Sequence, residues 1–548
     1  MNKIISLLLS FITLFFPSLA INTDSIFGAS YIENIKESNI EKFSEDSGFL
    51  KNTVLVFFED DADFFEKMST LSSFNLTTVT ILPDFNLYVA RTKIMDFEDL
   101  YALCEEVTAD EDVALATLCP VSKIEEQYTP NDPFTDENNY WRYDWDDENP
   151  DGNNWHIEVT ETRAAWGYKP LYNEINIGVV DGGFDTEHEE LMGKINFPTS
   201  RAARRNRPNH HGTHVAGIIA ANQDNGVGIS GICPNSTLTC VDWSPSDMQL
   251  WIADLAVLQG LSEAVKGGAK IINFSVGSSS IVTAENHETA DIVQNIDGLL
   301  YSYAMGSLLS KGYDFLVVQS AGNGNEEGRA IDASQNGLFC AITEKNAFLP
   351  FRNVTVEDLF DRIIIVANAE ITFDGYALSD SSNVGNIVDI AAPGSDIFSC
   401  TKDNTYGQKS GTSMAAPVVT GIAGLVWSAN EDLTAPEVKK IICENTNIIV
   451  SPSEERYFEN LDYQSYNMVN AKLSVEAALR LKDNFFDVKL LTDEKQEVTF
   501  TNADGDEFIF ETKSDGTLTC VLEAGNYTLE TVSGVTEITI SENCEITV

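Results

Sequence analysis

Between Glu174 and about Leu481 the chain passes repeatedly through short, nearly continuous β-branched runs: INIGVVD, AKIINFSVG, DFLVVQSAGN, RIIIVAN and NIVDIAAPG. Glycine turns and helical segments separate them. A strand with one wet face alternates apolar and polar residues; these runs do not, so both faces must be buried. The fold that buries both faces is α/β, a mostly parallel sheet flanked by helices. In such sheets ligands sit beyond the carboxyl ends of the strands. The polar residues just past those ends, Asp181, Ser275 and Asn323, are therefore candidates for function.

The flanks have different patterns. Residues 21–127 combine strand-like TVLVFF with helix-like DADFFEKMSTL and DFEDLYALCEEV, which predicts a small α+β unit. An acidic, Asn- and Pro-punctuated stretch from Tyr128 to Asn154 reads as an exposed loop and a domain boundary. Residues 484–548 alternate in short runs broken by Asp-Gly, Gly-Asn and Ser-Gly turns, which predicts a small all-β domain. The first twenty residues read as a signal peptide, with Lys3, an apolar Ile4–Phe16 too short to span a bilayer, and Ser18-Leu19-Ala20 at the cleavage site. No later segment reads as a membrane helix, so the mature protein is expected to be secreted and extracellular, with no membrane partner.

Composition narrows the partners. With 85 acidic and 34 basic residues the formal charge is −51, which repels nucleic acid and anionic lipid. Nine cysteines suit an oxidising compartment. Cys104/Cys119, Cys233/Cys240 and Cys520/Cys544 are the sequence-local pairs expected to form disulfides, and the odd count leaves at least one of Cys340, Cys400 and Cys443 over. Five Asn-x-Ser/Thr sites, at Asn75, Asn235, Asn273, Asn353 and Asn526, are acceptors only in a host that glycosylates.

Three of the six histidines fall in His210-His211-Gly212-Thr213-His214. The i, i+4 pair His210/His214 could ligate zinc, but the glutamate of an HExxH motif is missing. The small apolar run VAGIIAA that follows favours the other reading, a histidine presented at the start of a buried helix. A second constellation is Gly411-Thr412-Ser413-Met414-Ala415-Ala416-Pro417. Pro417 is tolerated near a helix start, which puts Ser413 at the N-terminus, where orphan N–H groups can stabilise an oxyanion. Taken singly, Ser413 could be an ordinary N-cap, Asp181 a turn residue and Asn323 a turn former.

Taken together these pieces resemble the subtilisin-like serine proteases. VVDGGFDTEHEEL matches the family's Asp block, HHGTHVAGIIAA its His block, SAGNG its oxyanion asparagine and GTSMAAP its Ser block, in the family's order, across about residues 130–480. The triad template and its chain order are general knowledge of such enzymes. The resemblance implies a serine endopeptidase acting on protein or peptide substrates. Ser413 would be the nucleophile, His211 the general base, Asp181 its orienting carboxylate and Asn323 an oxyanion donor, while Ser275, Val276 and Gly277 would pair with the substrate backbone. His214 would be buried and hydrogen-bonded.

The resemblance also implies residues 128–483 as catalytic domain and residues 21–127 as a propeptide that inhibits its own enzyme. A structural calcium ion would be held by Glu190, Asp224 and Asn225, and no catalytic cofactor is implied. The ligand of the C-terminal β-domain is left unassigned. Two rivals stay open: a catalytically inert binding protein on the same fold, and a peptide ligase or cyclase using the same acyl-enzyme. The apparent insertion between Asn323 and Asn368 hides the P1 preference.

Overall fold

The computed structural model describes residues 49–120 and 154–548, apart from short breaks at 59–61, 63, 83–86, 95–96, 111, 244–249, 278–286, 326–327, 373–374 and 453–463. The expected signal peptide and the expected junction near Gln127 lie outside the described residues. The chain forms two compact units, Met1–Ile124 and Glu125–Val548.

In the first unit the strands Thr77–Leu82, Leu87–Arg91, Phe49–Phe58 and Val113–Pro120 form an antiparallel sheet in that order, with helices Phe64–Ser73 and Phe97–Thr108 in the connections. This βαββαβ path is ferredoxin-like. It carries its own core, including Val54, Val56, Leu71, Leu100 and Val107.

The second unit is built on the expected parallel sheet. Across it the strands run Thr446–Val450, Tyr466–Val469, Ile390–Pro393, Ile363–Thr372, Leu316–Ser320, Ile271–Phe274, Ile175–Asp181, Ser236–Asp242 and Ile195–Asn196. All these neighbours are parallel except the edge strand Thr446–Val450. From Ile175–Asp181 the chain first forms the edge strand Ile195–Asn196, then fills the gap with Ser236–Asp242, and crosses to the other side at Ile271–Phe274. Asp181 therefore ends a strand at the topological switch point, where α/β sheets place their ligands.

Close packing explains the small residues. Gly178 faces the helix Leu250–Lys266, where a Cβ would come within 3.0 Å of Ala264. The helix Thr412–Ala429 is buried at every position but Ser413. Among the described residues it is long and apolar enough to cross a membrane, contrary to the sequence expectation, yet 94% of it is buried in the protein core. A residue-by-residue hydropathy reading cannot separate the two cases, because a core helix and a membrane span both shed water on every face.

The C-terminal strands form two small sheets, Thr517–Glu523/Phe485–Leu491/Cys544–Thr547 and Glu507–Glu511/Glu497–Asn502/Gly525–Thr531/Gly534–Ile540. Their apolar residues, among them Val488, Phe500, Phe510 and Leu522, belong to the same continuous core as the large sheet. Tyr168 joins the two regions. It is fully buried, its hydroxyl donates to Glu476 Oε1 at 3.0 Å and accepts from the Val521 N–H at 3.0 Å, and its ring packs on Phe510.

The disulfide expectation is corrected. Cys104, Cys233, Cys240, Cys520 and Cys544 are thiols. Cys520 and Cys544 lie on opposite neighbours of one strand, both in register with Val488, so two strand spacings of about 4.8 Å separate them, beyond disulfide reach. Cys240 pairs with Val179 inside the large sheet, while Cys233 packs beside Gly424 of the core helix. Burial pushes the Cys233 thiol up to about 12, which leaves it unreactive.

Candidate active site

The helix His210–Ala220 starts with a full set of caps. Asn209 Oδ1 accepts from the His211 N–H at 2.8 Å, and the Thr213 hydroxyl donates to the Asn209 carbonyl at 2.6 Å. Gly212 has a separate purpose: a Cβ there would sit 1.9 Å from the Gly182 carbonyl oxygen, so only glycine lets this helix abut the turn after Asp181. The result is a 2.6 Å contact between His211 Nδ1 and Asp181 Oδ1. Asp181 is 2% exposed, and its Oδ1 also accepts from the Gly182 N–H at 2.6 Å. The Asp181 charge raises the His211 pKa above its ordinary value, outweighing burial, which acts the other way.

Ser413 is the second residue of its helix, so its N–H has no acceptor in the preceding turn. Pro417 lacks the N–H that would ordinarily bond the Ser413 carbonyl. The Ser275 hydroxyl donates to that carbonyl instead, at 2.7 Å. Ser275 Oγ is itself held by Asn273 Nδ2 at 3.0 Å, and Asn273 Oδ1 accepts from the Thr420 hydroxyl at 2.9 Å. The Ser413 hydroxyl donates to the Ser275 carbonyl at 3.3 Å and makes no hydrogen bond to His211. Ligand-free sites commonly form that bond only when substrate arrives.

Asn323 lies beside this helix start. Its Oδ1 accepts from the Thr412 N–H at 2.8 Å and the Thr412 hydroxyl at 3.0 Å, which turns its amide N–H groups away toward the open side. The loop carrying it is shaped by Asn383, whose side chain donates to the Ala321 carbonyl at 2.9 Å and accepts from the Gly324 N–H at 2.9 Å. Gly322 adopts φ +101°, open to glycine, and a Cβ there would strike Asn383.

Ser275, Val276 and Gly277 leave the sheet beside this loop. Asn336 fills the space next to them: a Cβ at Gly277 would lie 1.9 Å from its Oδ1, and its amide donates to the Ser320 carbonyl at 2.8 Å. Asn273, Thr420, Asn336 and Asn383 were not singled out as site residues from the sequence. The segment that obscured alignment folds as short 3-10 turns Ala333–Asn336 and Leu338–Ala341 and a helix Val356–Phe360.

The remaining candidates are placed as follows. His214 is fully buried, and its Nε2 donates to the carbonyls of Ile397 and Gly407, both at 3.0 Å. That nitrogen is committed, and His210 is exposed. Glu190 is fully buried. Its carboxylate accepts from the Ile229 N–H at 2.9 Å, from Tyr406 Oη at 3.2 Å and from Asn225 Nδ2 at 3.0 Å. Asn225 thus faces Glu190 with its amide N–H, and Asp224 is bound to Lys169 Nζ at 2.7 Å. A calcium site needs six to eight converging oxygens, and these three side chains, as arranged, do not fit one.

Comparison with known proteins agrees with this architecture. Residues 173–476 match the Subtilase family, Peptidase_S8. The chain is 27% identical over 472 residues to the thermophilic serine proteinase of Bacillus sp. (strain AK1), covering 85% of this chain and 99% of that protein. It is 30% identical over 325 residues to thermitase of Thermoactinomyces vulgaris, covering 58% of this chain and 91% of that protein. Among solved structures, fervidolysin from Fervidobacterium pennivorans covers 92% of this chain and 79% of its own at 18% identity and a TM-score of 0.42. The protein is a serine-type peptidase, a hydrolase. It belongs to the subtilase family.

Proposed function

We propose that the protein is a secreted endopeptidase that cleaves peptide bonds through an acyl-enzyme on Ser413. His211 takes the Ser413 proton as the hydroxyl attacks the scissile carbonyl and returns it to the leaving amine. Asp181 holds the ring by its Nδ1 proton and stabilises the imidazolium. The Asn323 amide and the Ser413 N–H donate to the tetrahedral oxyanion. Water then attacks the acyl-enzyme by the same base. Ser275–Gly277 pairs with the substrate backbone as an added strand. The observation that carries this reading is the 2.6 Å His211–Asp181 contact. Casein hydrolysis tests it: Ser413→Ala should abolish turnover, and activity above a mock preparation would refute the assignment.

Residues 1–20 act in this reading as signal peptide and 21–127 as propeptide and intramolecular inhibitor. Wild-type protein should be shortened near residue 127, and Ser413→Ala should stay full length in a protease-deficient host. Equal processing of both would assign the cut to another enzyme. Calcium has no step in this chemistry. A structural ion at Glu190, Asp224 and Asn225 would require Asn225 to turn its amide over and Asp224 to leave Lys169. Melting of Ser413→Ala protein in EDTA decides it: a fall reversed by Ca²⁺ and not Mg²⁺ supports the ion, and an unchanged curve removes it.

A further inference from the structure

Four of the chain's 34 basic residues fall in the seven-residue segment Arg201–Arg207: Arg201, Arg204, Arg205 and Arg207. The formal charge of −51 makes this placement informative, since carboxylates are in large surplus and an arginine in such a chain readily finds one. Yet among the described residues Arg201, Arg204 and Arg205 have no ion pair and no side-chain hydrogen bond. Arg201 and Arg204 are exposed, and Arg205 is half-buried. Arg207 differs, because its guanidinium caps the carbonyls of Arg204, Arg205 and Asn206.

The segment is tied to the site itself. Asn206 exchanges two hydrogen bonds of 2.8 Å with the Phe184 backbone, and the Arg207 N–H donates to Asp242, which lies opposite Asp181 in the sheet. The Asn209 N–H donates to the Gly183 carbonyl at 3.1 Å, and two residues later comes His211. The arginines are thus carried on a strap fixed to the turn after Asp181 and to the cap of the His211 helix. Lys409, four residues before Ser413, adds a cation close enough to His211 to oppose its protonation.

We infer that this unpaired basic patch selects peptide substrates carrying aspartate or glutamate within a few residues of the scissile bond. The inference rests on the Ser413–His211–Asp181 reading above. Elsewhere the acidic surface repels such peptides, so the patch supplies the local attraction that brings them to the cleft.

The test uses matched quenched-fluorescent peptides that differ only in Glu, Gln or Lys at positions flanking the bond. The wild-type enzyme should favour the Glu peptide over the Gln peptide by about tenfold in kcat/KM at low salt, from a few exposed ion pairs. The ratio should shrink in 0.5 M NaCl. R201Q/R204Q/R205Q should lose the preference, the corresponding Lys triple variant should keep it, and the Glu triple variant should invert it toward the Lys peptide. A Glu/Gln ratio of one in the wild type, or the wild-type ratio retained in the Gln variant, would overturn the patch alone. If no peptide is cleaved and Ser413 takes no fluorophosphonate, the catalytic reading falls first and the patch with it.

Discussion

The Ser275 hydroxyl donates to the Ser413 carbonyl at 2.7 Å, replacing the bond that Pro417, four residues after Ser413, has no N–H to supply. The strand end and the helix start are thereby locked together, through a relay that continues to Asn273 and Thr420. Ser275→Ala should leave that carbonyl without its donor, cost about 1–3 kcal/mol of stability, and lower kcat by loosening the serine. Urea unfolding of the variant in the Ser413→Ala background measures the first part; an unchanged midpoint would mean the bond is dispensable.

Asn323 is anchored by its oxygen to Thr412, so its amide is presented without a competing partner. Asn323→Ala should lower kcat by about 10² to 10³ with little change in KM, because the donor acts on charge that develops in the transition state. A change confined to KM would assign it to ground-state binding.

In the proposed mechanism His211 acts as base only when neutral, and Asp181 holds its pKa above the ordinary 6.5. The acid limb of kcat/KM should therefore rise with pH through a value above 6.5. Asp181→Asn should move the limb down and lower kcat by about 10⁴. A limb that stays put in Asp181→Asn would contradict the pairing.

Acid stability follows from two other histidines. Burial lowers both His156 and His214 to about 3. The unfolded chain takes up those protons near 6.5, so stability is present above that pH and is lost as pH falls toward 3, by roughly 1.4 kcal/mol per unit for each group. Ser413→Ala protein should show a melting temperature that drops steadily from pH 6.5 to 4.5. Replacing His214 by Gln, which keeps a donor for the two carbonyls, should about halve the slope; a flat profile would contradict the assignment.

Much of this site was legible because its parts are local in sequence. The β-branched runs specified the sheet, and the Asp181, His211, Asn323 and Ser413 blocks each announced a strand end or a helix start. What was hidden depends on contacts between distant segments. Thr420 and Asn273 are 147 positions apart, and Asn383 reaches Ala321 across 62. Neither periodicity nor spacing carries such information. Asn273 read as a glycosylation acceptor, yet it is fully buried and relays the Ser275 contact. The Cys520/Cys544 pair failed for the same reason: nearness along the chain did not survive strand pairing.

In the proposed mechanism Ser413 alone is the nucleophile and His211 activates it. Labelling with a serine-directed fluorophosphonate, followed by peptide mass spectrometry, tests this most directly. The wild-type enzyme should carry one adduct on Ser413, His211→Ala should label far more slowly, and Ser413→Ala should not label. An adduct on another serine, or labelling of Ser413→Ala at the wild-type rate, would contradict the account.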